Sequence, residues 1–286
     1  MTSPLLSNDS AIHKTSPFHP TRIRALMLDW AGTVVDYGSR APVEAFRGAL
    51  SRHRIDVTVE QTRVPMGKAK RDHIASILAM PEVAQQWRQK YDRDHNESDI
   101  ENIYRDFQTI QFDCLLPCSH VIPGAAAAVD RCRAAGLKIG SSTGYTRAMM
   151  DQVMAQAKAE GYVPDIMLCS EDTAAGRPAP WLIFEGMRRM NVYPPMAVVT
   201  VDDTVAGIGA GRNAGTWCVG IALTGNEIGL SEREVAHLAP DKLRRMMTHA
   251  RQRLYEAGAH IVIDSLAELP ESIENLERRL TTGDRP

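Results

Sequence analysis

Ile23-Arg24-Ala25-Leu26-Met27-Leu28-Asp29-Trp30-Ala31-Gly32-Thr33 is a short, mainly apolar run that stops at a carboxylate and passes into a turn containing glycine. A buried strand that delivers a polar residue to a loop at its carboxyl end has this form. Similar runs recur at 138–142, 166–169, 197–201, 217–221 and 260–263, with helical spacing between them over 125–135, 147–160, 181–190 and 205–214. The alternation predicts an α/β fold, a doubly wound parallel sheet with helices on both faces. Such sheets carry their sites at the carboxyl ends of strands.

One region breaks the alternation. From about residue 41 to about 117 there is no convincing strand, and helical patterns over 43–52, 68–80, 82–94 and 99–115 take its place. Thr58 and Gln61 have the spacing of a capping box. The expectation is a flexible tail over 1–21, a Rossmann-like core over 22–40 and 118–286, and an all-helical cap over 41–117 that closes over the first strand's end. Pro117 and Pro123 bracket the return to the core. Ser231 and Glu234 repeat the capping-box pattern ahead of a long helix.

The length of 286 residues is long for one compact domain and natural for a core plus an insertion. A net charge of −2 suggests neither nucleic acid nor a membrane surface as partner. No apolar run is long enough to span a bilayer, and the first twenty residues lack the apolar segment of a secretory signal. The five cysteines are irregularly spaced and lack a zinc-site pattern, so they read as reduced thiols in a cytoplasmic protein.

Four features fall at predicted strand ends: Asp29-Trp30-Ala31-Gly32-Thr33, Ser141-Ser142-Thr143-Gly144-Tyr145-Thr146, Gly176-Arg177-Pro178-Ala179-Pro180-Trp181 and Val201-Asp202-Asp203-Thr204. Singly, each has a plain explanation as a turn, an N-cap, a surface arginine or a solvated acidic pair. Together they converge on one edge of one sheet, and their chemistry fits one task. A carboxylate plus an acidic pair can hold Mg2+. A threonine hydroxyl with free N–H groups at a helix start suits a phosphate or phosphonate. An arginine adds charge to the transferring group, and Asp29 can attack phosphorus.

These four motifs, in this order, resemble those of the haloacid dehalogenase superfamily, and the helical insertion resembles its C1-type cap. The resemblance covers residue 24 to about residue 269. It implies that phosphatases carry a second Asp two places after the nucleophile, as the acid for the leaving alkoxide. Here that position is Ala31, which would cost an ordinary ester hydrolysis about 10² to 10⁴ in rate.

A carbon leaving group is one answer, provided that an electron sink stabilises the carbanion. A lysine condensed with a neighbouring aldehyde supplies the sink. The cap stretch Met66-Gly67-Lys68-Ala69-Lys70-Arg71-Asp72-His73 offers Lys68 or Lys70, with Arg71 or a charged His73 available to lower the amine's pKa. The alternative is a solvated basic helix start.

With Ser-Thr-Gly-Tyr-Thr and Gly-Arg-Pro-x-Pro-Trp in the core, that stretch resembles the phosphonoacetaldehyde hydrolases (phosphonatases). The resemblance implies Asp29 as nucleophile, Lys70 as Schiff-base lysine and His73 as proton carrier around the imine. It implies Mg2+ held by Asp29, the Ala31 carbonyl and Asp203, and a phosphonyl group held by Thr143, Gly144 and Arg177. Met66 and, more weakly, Tyr145 would line the pocket.

Asp202 is expected to support Asp203. Gly207 stands where relatives often carry an Asp, and Ser39 is given no role. The resemblance also implies a place in 2-aminoethylphosphonate degradation and a homodimer through the cap. For the latter, Trp87, Ile103, Tyr104 and Phe107 could be apolar surface or simply the cap's own core. The rival readings are a phosphatase or phosphomutase acting on a small ester, and a catalytically silent binding module.

Overall fold

The computed structural model describes residues 22–286. The expected tail over 1–21 lies outside the described residues. A parallel sheet of six strands runs through the core in the order β3-β2-β1-β4-β5-β6. Strand β1 (Ala25–Leu28) comes first. The chain then leaves the sheet for five helices: α1 (Ala41–Arg52), α2 (Val59–Arg63), α3 (Lys70–Leu78), α4 (Pro81–Tyr91) and α5 (Glu97–Cys118). It returns through α6 (Ala125–Ala134), β2 (Lys138–Ser142), α7 (Arg147–Ala159), β3 (Ile166–Leu168), α8 (Trp181–Met190), β4 (Val198–Asp202), α9 (Val205–Ala214) and β5 (Trp217–Ile221). The short α10 (Glu232–Ala236), the long α11 (Pro240–Glu256), β6 (Ile261–Ile263) and α12 (Leu269–Thr281) complete the described fold.

The inner strands are apolar because both of their faces are covered. Leu26, Leu28, Val199 and Val201 join one core cluster, with side chains from α6, α7 and α12. Their alternates Ala25, Met27 and Val198 join another, with side chains from α8 and α9. The cap has a separate core, built from Phe46 and Leu50 of α1, Ile74 and Ile77 of α3, Trp87 of α4 and Ile103 and Phe107 of α5.

Both expected capping boxes form, although the one at Ser231 caps the five-residue α10 while α11 begins at Pro240. Helix α5 starts earlier than its pattern suggested, at an Asn96–Asp99 capping box, and runs on to Cys118. Pro117 therefore lies inside its last turn, where the missing N–H costs one bond at the end of a helix that is stopping in any case. Helix α3 starts at Lys70, two residues later than expected. Trp87, Ile103 and Phe107 are buried in the cap's core and form no docking surface, while Tyr104 is partly buried against it. The cysteines form no disulfide, and no helix among the described residues is long and apolar enough to cross a membrane.

Candidate active site

Strand register brings the motif residues together. Leu28 pairs with Ser141 on one side and Val201 on the other, so Asp29, Ser142 and Asp202 stand abreast at the carboxyl edge. Asp29, Asp202 and Asp203 present carboxylate oxygens within 4.8 Å of one another, and all three residues are buried. Arg177, reaching in from the loop before α8, lies across them. Its Nη1 donates to Asp29 Oδ1 at 2.5 Å and sits 3.1 Å from Asp202 Oδ2. Its Nη2 donates to the carbonyl and hydroxyl of Ser142 at 2.8 and 3.0 Å.

One guanidinium cannot neutralise three buried carboxylates. Burial pushes Asp202 up to about 6 against the pull of Arg177. Burial, then Asp29 and Asp202, raise Asp203 well above the ordinary carboxylate range. Burial also works against the charge of Arg177, but Asp202 and Asp29 hold it more firmly protonated than usual. A set of hard oxygens with negative charge to spare fits a divalent hard cation such as Mg2+. The turn after Asp29 leaves another oxygen open. Trp30 O accepts from Thr33, Val34 and Val35, and Gly32 O accepts from Thr224, whereas among the described residues Ala31 O accepts nothing.

Lys70 enters from the first turn of α3 and is 9% exposed. Its Nζ lies 5.5, 6.0 and 5.1 Å from the ring centroids of Phe46, Phe107 and Tyr145. Burial lowers its pKa to about 8; Asp29 opposes the shift and Arg177 reinforces it. Neither expected cation acts as supposed. Arg71 is turned out to Glu97 and Glu101, at 2.7 and 3.3 Å. His73 is held well below its ordinary pKa by burial and then by Lys70, so it is neutral. The cation that helps comes from the core. Lys68 turns away, its Nζ donating to Ser76 Oγ at 2.9 Å.

The His73 ring stacks on Phe46 at 3.7 Å, and its Nε2 is 2.9 Å from Thr62 O. A carbonyl only accepts, so Nε2 carries the proton and Nδ1, buried without a partner, is a free acceptor. Met66 is buried at the start of the turn that brings the cap onto the core. Glycines allow that approach. A Cβ on Gly67, whose φ is +89°, would lie 2.2 Å from Thr204 Oγ1, and one on Gly176 would lie 2.9 Å from Ala69 Cβ. A Cβ on Gly144 would lie 3.8 Å from Lys70 Cε.

The second motif departs from expectation at two of its N–H groups. The Thr143 N–H donates to Leu168 O at 3.0 Å and the Tyr145 N–H to Thr143 Oγ1 at 3.1 Å. Helix α7 starts only at Arg147, capped by Thr146. What Thr143 can still offer a ligand is its hydroxyl proton. Tyr145 is buried, and burial followed by Asp36 and Asp29 keeps its phenol protonated. Ser39 is buried in the segment between β1 and α1, where its carbonyl accepts from Arg63 Nη1 at 3.3 Å.

Sequence reasoning missed Ser142 and Asp202 as anchors of Arg177, and Asn226, whose N–H donates to Asp203 Oδ2 at 2.7 Å. The doubled acid Asp202-Asp203 was the one available signal.

The family model described as haloacid dehalogenase-like hydrolase matches residues 23–215. A phosphonoacetaldehyde hydrolase from Nitratidesulfovibrio vulgaris is 42% identical over 94% of this chain and 98% of its own. One from Paraburkholderia xenovorans is 42% identical over 92% and 99%. The crystal structure of a phosphonoacetaldehyde hydrolase-like protein from Oleispira antarctica, 38% identical, superposes with a TM-score of 0.92 over 96% of this chain and 99% of that one.

Proposed function

Because the chain belongs to the phosphonoacetaldehyde hydrolase family of haloacid dehalogenase-like hydrolases, we propose that it cleaves the P–C bond of phosphonoacetaldehyde to give acetaldehyde and phosphate. The observation that carries this reading is a buried lysine whose pKa is lowered to about 8, set across the cap–core boundary from Asp29, with Ala31 where an acid would serve an ester.

Thr143, Gly144 and Arg177 hold the phosphonyl group, and Met66 and Tyr145 bound the pocket. Neutral Lys70 adds to the aldehyde carbon and water leaves, giving a protonated imine. His73, neutral and with its Nδ1 free of a partner, helps proton movement around the imine. Asp29 then attacks phosphorus. The P–C bond breaks, and its electron pair moves into the imine to give an enamine on Lys70. Water cleaves the aspartyl-phosphate and releases phosphate. Protonation of the enamine carbon and hydrolysis of the imine free acetaldehyde and restore Lys70. Asp29, the Ala31 carbonyl and Asp203 would hold Mg2+, which when bound supplies positive charge at the phosphonyl oxygens and offsets the crowded carboxylates.

The reading places the reaction in 2-aminoethylphosphonate degradation, with phosphonoacetaldehyde as a small-molecule substrate. It places the protein in the cytoplasm, supported by five cysteines without a disulfide. A homodimer through the cap is supported by the exposed apolar side chains Phe112 and Leu116 on α5, 41% and 56% exposed.

The test is release of acetaldehyde and phosphate from phosphonoacetaldehyde with and without Mg2+. Equimolar products that depend on Mg2+ are expected. Turnover of small phosphate monoesters without turnover of phosphonoacetaldehyde would favour a phosphatase.

A further inference from the structure

Arg63 closes α2 in the cap, yet all its acceptors lie outside the cap helices. Its Nη1 donates to Gly38 O at 3.0 Å and Ser39 O at 3.3 Å, in the segment that leads from core to cap. The same nitrogen reaches Asn226 Oδ1 at 3.0 Å and Asn226 O at 3.3 Å. Its Nη2 donates to Gly229 O at 2.9 Å. The loop between β5 and α10 is shaped for it, since a Cβ on Gly229 would lie 2.6 Å from Arg63 Cζ. Asn226 answers with Nδ2, 3.4 Å from Arg63 O. The backbone N–H of this same Asn226 donates to Asp203 Oδ2 at 2.7 Å.

One planar side chain of the cap therefore grips a core loop that also holds a candidate metal carboxylate. Burial weakens the charge of Arg63, while Asp36, Asp203 and Glu227 support it. A lysine could not reproduce the fork, because an ammonium is a point donor on a flexible stem.

We propose that Arg63 is a latch for the closed cap and that, through Asn226, it fixes the orientation of the Asp203 carboxylate, making both residues positioning residues for the metal. Cap closure and metal binding then strengthen each other by the same factor, as any two linked equilibria must. The metal half of this inference rests on the proposed role of Asp203; the latch half does not.

The experiment compares the full-length protein with its Arg63→Lys, Asn226→Ala and Arg71→Ala variants. Mn2+ affinity is read by the loss of free-ion paramagnetic signal, and amide hydrogen exchange is followed over residues 36–41 and 222–230. Arg63→Lys and Asn226→Ala both keep the backbone N–H at position 226 but release the loop that aims it at Asp203, so they are expected to weaken Mn2+ binding about ten-fold, the lower end of the effect of losing a group one shell out from a metal, and to speed exchange in both segments. Arg71→Ala, whose partners Glu97 and Glu101 are exposed, is expected to change neither. Arg63→Lys with native affinity and native exchange would overturn the latch, as would equal effects from Arg71→Ala. If the native chain bound no Mn2+, the metal role of Asp203 would fall and the exchange data alone would decide the latch.

Discussion

Gly207 and Asp202 share one volume: a Cβ built on Gly207 would lie 1.9 Å from Asp202 Cγ and 1.9 Å from its Oδ2. With Asp202 where it stands, a side chain at 207 has no room unless that carboxylate moves. Asp202 is held by the Thr204 N–H and hydroxyl at 2.9 and 2.7 Å and by Arg177 at 3.1 Å. Gly207→Ala must push the carboxylate off Arg177, with an overpacking cost of about 1–3 kcal/mol. We expect a lower thermal midpoint and a fall in kcat/KM of roughly ten-fold or more, since displacing an arginine proposed to hold the phosphonyl group by an ångström is costly. A variant with native kcat/KM would mean that Asp202 does not set the position of Arg177.

In the proposed mechanism Lys70 must be neutral to attack the aldehyde. With its pKa lowered to about 8, kcat/KM and the rate of imine formation should rise with pH around a midpoint near 8. A midpoint in the ordinary lysine range would contradict the burial argument. The stability consequence has a definite sign. Between the folded value of about 8 and the ordinary 10.5, the unfolded chain binds the extra proton, so Lys70 destabilises less as pH rises through that window. Lys70→Met should therefore stabilise the inactive protein at pH 7, with an advantage that shrinks by pH 10. Denaturant titrations at the two pH values check this.

The glycine approach of cap to core can be blocked without touching the chemistry. Gly67→Ala places a methyl group 2.2 Å from Thr204 Oγ1 at a backbone φ of +89°. The cap should dock less completely, and kcat/KM should fall about ten-fold with a change in stability of about 1 kcal/mol. Unchanged kcat/KM would show that this contact is not needed for closure.

Mg2+ should stabilise the fold by offsetting the carboxylates that Arg177 leaves uncompensated. Saturation at one hundred times Kd corresponds to about 2.7 kcal/mol, visible as a higher thermal midpoint. Asp203→Asn removes one crowded charge. It should raise the metal-free midpoint and abolish the Mg2+ increment. An increment that survives the substitution would remove Asp203 from the metal site.

Much of this architecture was legible in the chain. The runs at 138–142 and 217–221 became β2 and β5 with the bounds their pattern indicated, as did helices α8 and α9. Buried strands and amphipathic helices declare themselves by local periodicity. Arg63 and Asn226 did not, because they meet across 163 positions of sequence and a lone arginine ending a short helix looks like any surface arginine. The choice between Lys68 and Lys70 was open on residue spacing, and it is burial against Phe46, Phe107 and Tyr145 that separates them. Of the free N–H groups expected at this motif, those of Thr143 and Tyr145 are taken, and the pairing that consumes the Thr143 N–H involves Leu168, which spacing near residue 143 cannot reveal.

Borohydride reduction during turnover of phosphonoacetaldehyde tests the central claim, that Lys70 forms the imine on which P–C cleavage depends. Peptide mapping of the trapped protein should place a reduced two-carbon adduct on Lys70 alone, with activity lost in proportion to labelling. An adduct on Lys68 or any other lysine, or full activity with no adduct, would contradict it.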